Sequence, residues 1–369
     1  MKLNSIELID FRNFKQSKID FSVKKNFLIG KNAQGKSNLL EAIYLLCLSK
    51  SFRTSNNKEA ISFSKQKFLI KAEFSSDKGS NYKAALLCYQ NKKKQIFINR
   101  KRINKISDFI GNFPIVLSSP EEYNLTTGPP SERRKFVDIL LSQINKKYIH
   151  FLIEYQRILK QKNAILLNWK LKRKQNRSEL EPWNARLVEI GSRIVEFRNN
   201  FLKQLSVKVG NIYSKLVLNN EQLEFFYQPN IEFQNIENIR DVFFNKINQV
   251  YFKELQRSTS LVGPHRDDFI FKINGNELRK YGSRGQHKTV LISLAASEYN
   301  LIKELTEETP IILIDDLYSE IDKDRENKIL DLLEGLGQVF ITSTEIHDQN
   351  SGKEGDKYFF VKSGNIQHL

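Results

Sequence analysis

The octet Gly30-Lys31-Asn32-Ala33-Gln34-Gly35-Lys36-Ser37 satisfies GxxxxGK[ST] in full. It follows a short apolar stretch, Lys24 to Ile29. It precedes a helical pattern in which Asn38, Leu39, Leu40, Ile43, Tyr44, Leu45 and Leu46 recur at three- and four-residue spacing. Strand, glycine-bearing loop and helix are what a P-loop requires. Glycines let the backbone fold tightly so that its N–H groups face phosphate, and the helix start adds the positive end of its dipole. On this reading Gly30 to Ser37 cradle a nucleotide, Lys36 bridges its β- and γ-phosphates, and Ser37 ligates Mg²⁺. A bare glycine turn is the competing reading, and the flanking strand and helix weigh against it.

A P-loop also needs a carboxylate for the metal shell, normally at the end of a buried strand. Ile311-Ile312-Leu313-Ile314-Asp315-Asp316 supplies it. Four apolar residues in a row suit a parallel strand covered on both faces, and two adjacent aspartates there are costly without a cation. Asp315 is expected to orient the metal through water, and Asp316 to polarise the attacking water. A strand end with solvated acids is the alternative. Both strands belong in one sheet, yet 278 residues separate Ser37 from Asp315. The segment between them is therefore expected to carry an insertion.

A third element, Ser283-Arg284-Gly285-Gln286, opens a helical pattern (Thr289, Val290, Ile292, Ser293, Ala296) just ahead of the aspartate strand. The tetrad alone reads as a glycine helix start. In this order it resembles an ABC signature, whose Ser and Gly contact the γ-phosphate held by the opposite subunit. Ser319-Glu320-Ile321-Asp322 stands where such ATPases carry the D-loop. The strand Gln338 to Thr344 is followed by no switch histidine, so Thr342 or Ser343 is expected to sense the γ-phosphate. Asp316 replaces the usual Glu, a shorter base that suits slow turnover.

Charge adds a partner class. Lys plus Arg number 59 against 42 Asp plus Glu, a net +17 that favours polyanions. From Lys78 to Ser107 there are nine cations and no carboxylate, interleaved with Tyr82, Tyr89 and Phe97. From Lys146 to Arg177 there are ten cations against Glu154 alone. This clustering fits phosphate-backbone binding; a Lys-rich composition that merely keeps the chain soluble is the alternative. No run approaches 18 apolar residues, which excludes a membrane span. The opening residues lack a secretory pattern, so a cytoplasmic location is expected. Cys47 and Cys88 are expected to be reduced thiols, and no CxxC or HExxH cluster marks a metal cage.

Alternation and spacing predict strands near Leu3–Phe11 and Lys24–Ile29, a β-rich stretch over 66–117, and helices over 131–143, 146–175 and 183–216. Pro182 and the polar residues before it are read as the turn between the longer two, each about 45 Å long. The predicted fold is α/β: an ABC-type P-loop ATPase head, a mixed sheet with flanking helices, carrying an inserted α-helical arm lobe. The expected division is 1–130 and 219–369 for the two parts of the head, and 131–218 for the arm.

Across nearly the whole chain the sequence resembles the RecF family of bacterial DNA replication and repair proteins. The resemblance rests on Leu8-Ile9-Asp10-Phe11-Arg12-Asn13-Phe14, the P-loop, Leu40-Glu41-Ala42-Ile43-Tyr44, Ser51-Phe52-Arg53 and Ser119-Pro120-Glu121. It continues in Gly128-Pro129-Pro130-Ser131-Glu132-Arg133-Arg134, Leu159 to Ala164, Gly263-Pro264-His265-Arg266-Asp267-Asp268, the Ser283 tetrad and Asp315-Asp316. It implies a head related to those of SMC and Rad50, using ATP and Mg²⁺, that dimerises on double-stranded DNA and hydrolyses ATP slowly. It also implies action at gaps and single-strand/double-strand junctions, with RecR and RecO, to place RecA during fork recovery and the SOS response. Related heads direct an arginine from the first hairpin to the nucleotide, which makes Arg12 a candidate; a surface cation is the alternative. Arg133 and Arg134 either meet DNA or cap the arm helix, and His265 and Arg266 either shape an interface or hold structure. A transport-coupling ABC subunit predicts a switch histidine and no basic insertion, and a structural SMC-like subunit needs far longer arms.

Overall fold

Strand β1 (Lys2–Phe11) buries Leu3, Ile6, Leu8 and Phe11; a register shift between Leu3 and Ser5 explains the first three-residue step in that series, and the left-handed Asp10, at φ +53°, falls within the second. The computed structural model describes residues 1–172, 176–217, 221–316, 335–345 and 354–369. After β1 come β2 (Phe14–Asp20), β3 (Lys25–Ile29), α1 (Lys36–Leu48), β4 (Lys67–Ser75), β5 (Asn81–Tyr89), β6 (Gln95–Ile98) and β7 (Lys101–Ile103). Then follow α2 (Ile106–Phe109), β8 (Ile115–Ser118), α3 (Tyr123–Thr127), α4 (Pro130–Ile144), α5 (Lys146–Lys172), α6 (Arg177–Leu216), β9 (Leu223–Gln228), α7 (Ile239–Gln249) and α8 (Tyr251–Arg257). The chain closes with β10 (Asp268–Ile273), β11 (Asn276–Glu277), α9 (Leu278–Tyr281), α10 (Arg284–Thr306), β12 (Ile311–Ile314), β13 (Val339–Ser343), β14 (Lys357–Lys362) and β15 (Asn365–His368). The D-loop candidates Ser319, Glu320, Ile321 and Asp322 lie outside the described residues.

The chain divides into two compact units. The first comprises Met1–Tyr123, Lys215–Asn219 and Ser283–Leu369; the second, Asn124–Ser214 and Asn220–Gly282. Among the described residues the first unit holds two six-stranded sheets. One is antiparallel, in the order β2-β1-β4-β5-β6-β7; the other runs β15-β14-β3-β13-β12-β8, parallel except for β15. Helix α1 touches strands of both, β1, β4 and β5 on one side and β8 and β13 on the other. It buries 11 of its 13 residues, as an apolar-all-round helix must. In the parallel sheet β13 lies between β3 and β12, so the ends of the P-loop strand and the aspartate strand are brought to the same edge. That edge, at the carboxyl ends of parallel strands, is where an open α/β sheet places its ligand site.

The second unit contains the three-stranded sheet β11-β10-β9 and helices α4 to α9. Helices α5 and α6 run antiparallel: Tyr148 meets Phe197, Glu154 pairs with Arg186 at 2.5 Å, and Trp169 Nε1 donates to Glu179 at 3.0 Å. Helix α6 already begins at Arg177, so Pro182 lies inside it and not in the turn between the two helices. Leu180, 1% exposed, packs with Leu166 and Trp169, and this contact holds the turns ahead of the proline in the helix despite the lost backbone donor.

The expected boundary at 218/219 also differs from the observed one. Residues 220–282 gather with the arm helices because β9 pairs with β10, and because α4 packs on β10 and α8 on α5. Among the described residues no helix is long and apolar enough to cross a membrane. Cys47 and Cys88 are both free and buried.

Candidate nucleotide site

The P-loop turns where its glycines are indispensable. Gly35, at φ +119°, is the N-cap of α1, and a Cβ there would lie 2.7 Å from Asn13 Nδ2. A Cβ on Gly30 would meet the Val361 carbonyl oxygen at 2.4 Å. Lys36 is buried, and its ammonium donates to the loop's own carbonyls, those of Gly30 and, at 3.0 Å, Lys31. Burial lowers its pKa, and the charges of Asp315 and Asp316 work in the other direction.

The two motifs that stand 278 positions apart meet directly. Ser37 Oγ donates to Asp315 Oδ1 at 3.0 Å. Thr342 Oγ1 donates to the same oxygen at 2.6 Å and accepts from the Asp316 backbone N–H at 2.8 Å. Asp316 sits at φ +58°, a left-handed turn that ends β12 and redirects the chain after Asp315. The Asp315 N–H is itself bonded to Ser118 O on β8. Ser343, the alternative sensor, turns instead to its own loop and donates to Glu345 O at 2.7 Å. The hydroxyl of Ser37 and the carboxylate of Asp315 make an all-oxygen pair of the kind a hard divalent cation takes.

Arg12 does not project freely. Its guanidinium lies bidentate on Glu41, with Nε to Oε2 at 2.9 Å and Nη2 to Oε1 at 2.7 Å, and Nη1 donates to Glu59 O. Glu41 is wholly buried one turn beyond Ser37, also accepts from Ser51 Oγ at 2.6 Å, and lies 3.8 Å from Arg53 Nη1. Arg53 donates to Asn38 Oδ1, Asn38 to Asn13 Oδ1, and Asn13 to Gln34 O on the P-loop. The turn between β14 and β15 grips the same glutamine: Gly364 N–H reaches Gln34 O at 3.0 Å and Ser363 N–H reaches Oε1 at 2.9 Å. Glu41, Asn13 and Arg53 stand within the stretches that carry the family resemblance but have no site role legible from sequence, and the 363–364 turn has neither. The available signal was a lone carboxylate, Glu41, in an otherwise apolar helical run.

Ser283 caps α10. Its Oγ accepts from Gln286 N–H at 3.2 Å, and Gln286 Oε1 accepts from Ser283 N–H at 2.9 Å, a reciprocal capping box. Arg284 and Gly285 form the first turn, so the tetrad presents a helix N-terminus. In the second unit, Arg133 is bidentate on Asp268 at 2.8 and 3.0 Å, and Arg134 donates to Asp267 O. His265 is bonded to Tyr155 OH and Ser260 O. Arg133, Arg134 and His265 thus brace their own unit.

Comparison with known proteins places this geometry. The model of the RecF/RecN/SMC N terminal domain matches residues 2–367. A DNA replication and repair protein RecF of Clostridium acetobutylicum is 36% identical over 367 residues, 99% of this chain and 99% of its own. One from Streptococcus thermophilus is 37% identical over 366 residues, 99% and 98% of the two chains. The chain belongs to the RecF family. Among solved structures, the recombination mediator protein RecF-ATP in the RecFOR pathway is 34% identical with a TM-score of 0.92, covering 100% of this RecF-family chain and 97% of that one. An SMC head bound to the C-winged helix domain of ScpA gives 0.56 at 15% identity, a likeness of fold. The fold is that of an ABC-type ATPase head, with mixed sheet, flanking helices and an inserted lobe.

Proposed function

We propose that the chain is an ATP-dependent, DNA-binding recombination mediator that pairs with a second copy on double-stranded DNA and lets go after slow hydrolysis. The observation that carries this is the Ser37–Asp315–Thr342 cluster. It joins a phosphate loop to the carboxylate pair of an ATPase in a chain whose relatives are RecF proteins, one of them solved with ATP. Gly30 to Ser37 wrap the phosphates with backbone N–H groups, and Lys36 moves from the carbonyls of Gly30 and Lys31 to the β- and γ-phosphates. Ser37 and Asp315 are the residues that would hold Mg²⁺, which when bound neutralises charge between those phosphates.

Asp316 orients the attacking water, and Thr342, bonded to both aspartates' positions, reports the γ-phosphate to them. Arg12 serves the phosphates from its seat on Glu41. Ser283 to Gln286 offer a capped helix N-terminus to the nucleotide of the opposite copy, which makes ATP part of the dimer contact. The place of action is then gaps and single-strand/double-strand junctions, with RecR and RecO as partners in loading RecA, and with DNA stimulating a weak ATPase.

The test is Lys36→Arg, which keeps the charge and loses the compact ammonium. It is expected to retain part of the nucleotide affinity and to abolish ATP-driven dimerisation in analytical ultracentrifugation with duplex DNA. Unchanged dimer formation would sink the reading.

A further inference from the structure

Three lysines of the antiparallel sheet and its turns are neutralised: Lys71 by Glu7 at 2.9 Å, Lys83 by Glu73 at 2.7 Å, Lys78 by Glu307 at 2.7 Å. The end where β4 begins and β5 finishes is different. Lys67 stands opposite Tyr89 in register, Lys92 lies over the Tyr89 ring at 5.8 Å, and Lys93 is exposed on the β5–β6 turn. Lys94 crosses to the last turn of α1 and donates to Ser49 O. Burial lowers its pKa to about 8. Lys50 follows Ser49 directly, and Asn57 Nδ2 donates to the same Ser49 carbonyl at 3.1 Å, so Lys50 and Lys58 flank that point. Among the described residues no carboxylate lies within ion-pair distance of these six lysines.

A second observation points the same way. Phe63 is 100% exposed, yet the turn that carries it is tightly held. Ser62 N–H bonds Asp10 O at 3.0 Å, Ser62 Oγ bonds Arg12 O at 2.7 Å, Lys65 N–H closes the turn on Ser62 O, and Lys65 pairs with Asp10. A fully solvated aromatic ring on a rigid support costs hydration without gaining burial, and it loses that cost when a partner covers it.

We infer that this end of the sheet, Lys50, Lys58, Lys67, Lys92 and Lys93 with Phe63 at the rim and Lys94 tying β6 to Ser49, is the contact surface for duplex DNA. The five exposed lysines take backbone phosphates of successive nucleotides, and Phe63 packs on a deoxyribose or base edge. A polyanion is the complement because the site has charge without counter-charge. The surface rests on the DNA-binding reading above, and it puts the contact one hydrogen bond from Arg12, whose carbonyl holds Ser62.

The test is fluorescence anisotropy of a labelled duplex with ATP, titrated across salt for the full chain. Lys92→Glu with Lys93→Glu is expected to weaken binding by about tenfold or more at 0.1 M salt, and to flatten the slope of log affinity against log salt by about 2. Phe63→Ala is expected to weaken binding severalfold with the slope unchanged, since it carries no charge. Lys83→Glu, at a lysine already paired with Glu73, is expected to bind within about twofold of wild type. Fluorescent nucleotide binding and thermal melts report that each variant is folded, and Lys92→Ala with Lys93→Ala repeats the test without added negative charge. Wild-type affinity and slope in both double variants would overturn the surface and leave DNA binding to another face. A wild-type chain that binds no duplex overturns both. A loss confined to an acidic protein, with duplex affinity intact, also overturns it.

Discussion

Glu41 shows how a single residue sets the geometry of the site. It is fully buried, it is charged, and its partners come from the β1–β2 turn and the loop after α1. Taking a carboxylate out of water is expensive, and the bidentate Arg12 with the Ser51 hydroxyl repays it only while all remain in place. Glu41→Ala leaves the Arg12 guanidinium, 23% exposed, without its anion. The loss is expected to be about 3 kcal/mol of unfolding free energy, read from urea denaturation. Glu41→Gln, which keeps the shape and one of the two acceptor oxygens, should lose less. Equal stability of Glu41→Ala and wild type would show that Arg12 finds solvent or another acceptor at no cost.

At the scale of elements, the connection between α8 and β10 is the most strongly conditioned by its protonation state. His265 Nε2 faces the Ser260 carbonyl, so it carries the proton, and Nδ1 accepts from Tyr155 OH at 2.7 Å. Burial lowers its pKa to about 4, and the nearby charges of Arg266, Lys162 and Arg134 add to the effect. The unfolded chain takes up a proton near pH 6.5 and the folded chain does not, so stability falls as pH drops from 6.5 towards 4. By pH 5 the loss from this residue is expected to be about 2 kcal/mol, seen as the difference in pH dependence of urea unfolding between wild type and His265→Asn. Parallel profiles would remove His265 from the account.

The same elements show what was legible in the sequence. The P-loop, the aspartate strand and the capped Ser283 helix were readable because their chemistry needs contiguous residues. Strand β2 was not, since Phe14–Asp20 buries only Phe14 and Ile19 and pairs through its backbone. The expectation of a turn at Pro182 fails because proline is a strong local signal, and the Leu180 contact that keeps it inside α6 is tertiary. Arg12 stood open between a nucleotide contact and a surface cation because its pairing with Glu41, 29 residues away, leaves no local signal.

At the scale of the whole molecule, the arm is not a separable hairpin of helices. Arg198 on α6 is 2% exposed and spends its guanidinium on residues from three segments: Asp138 on α4 at 2.8 Å, Tyr148 OH on α5 at 3.1 Å, and Asp267 just ahead of β10 at 2.7 Å. Asp267 in turn accepts from Tyr227 OH and from Asn230 N–H at 2.8 Å. Arg133 depends on Asp268 in the same way. A piece ending at 218 keeps both arginines and removes both aspartates, leaving cations in an apolar interior with part of their partners gone, a defect of about 3–5 kcal/mol for each buried pair. A piece spanning 124–282 keeps the whole network and the β9–β10 pairing. The 124–282 fragment is therefore expected to unfold cooperatively in urea with native-like helical circular dichroism, and the 131–218 fragment to show weak helix content and no sharp transition. Cooperative unfolding of the shorter fragment would mean that α5 and α6 hold each other without the sheet, and that the buried arginines contribute little to the unit's stability.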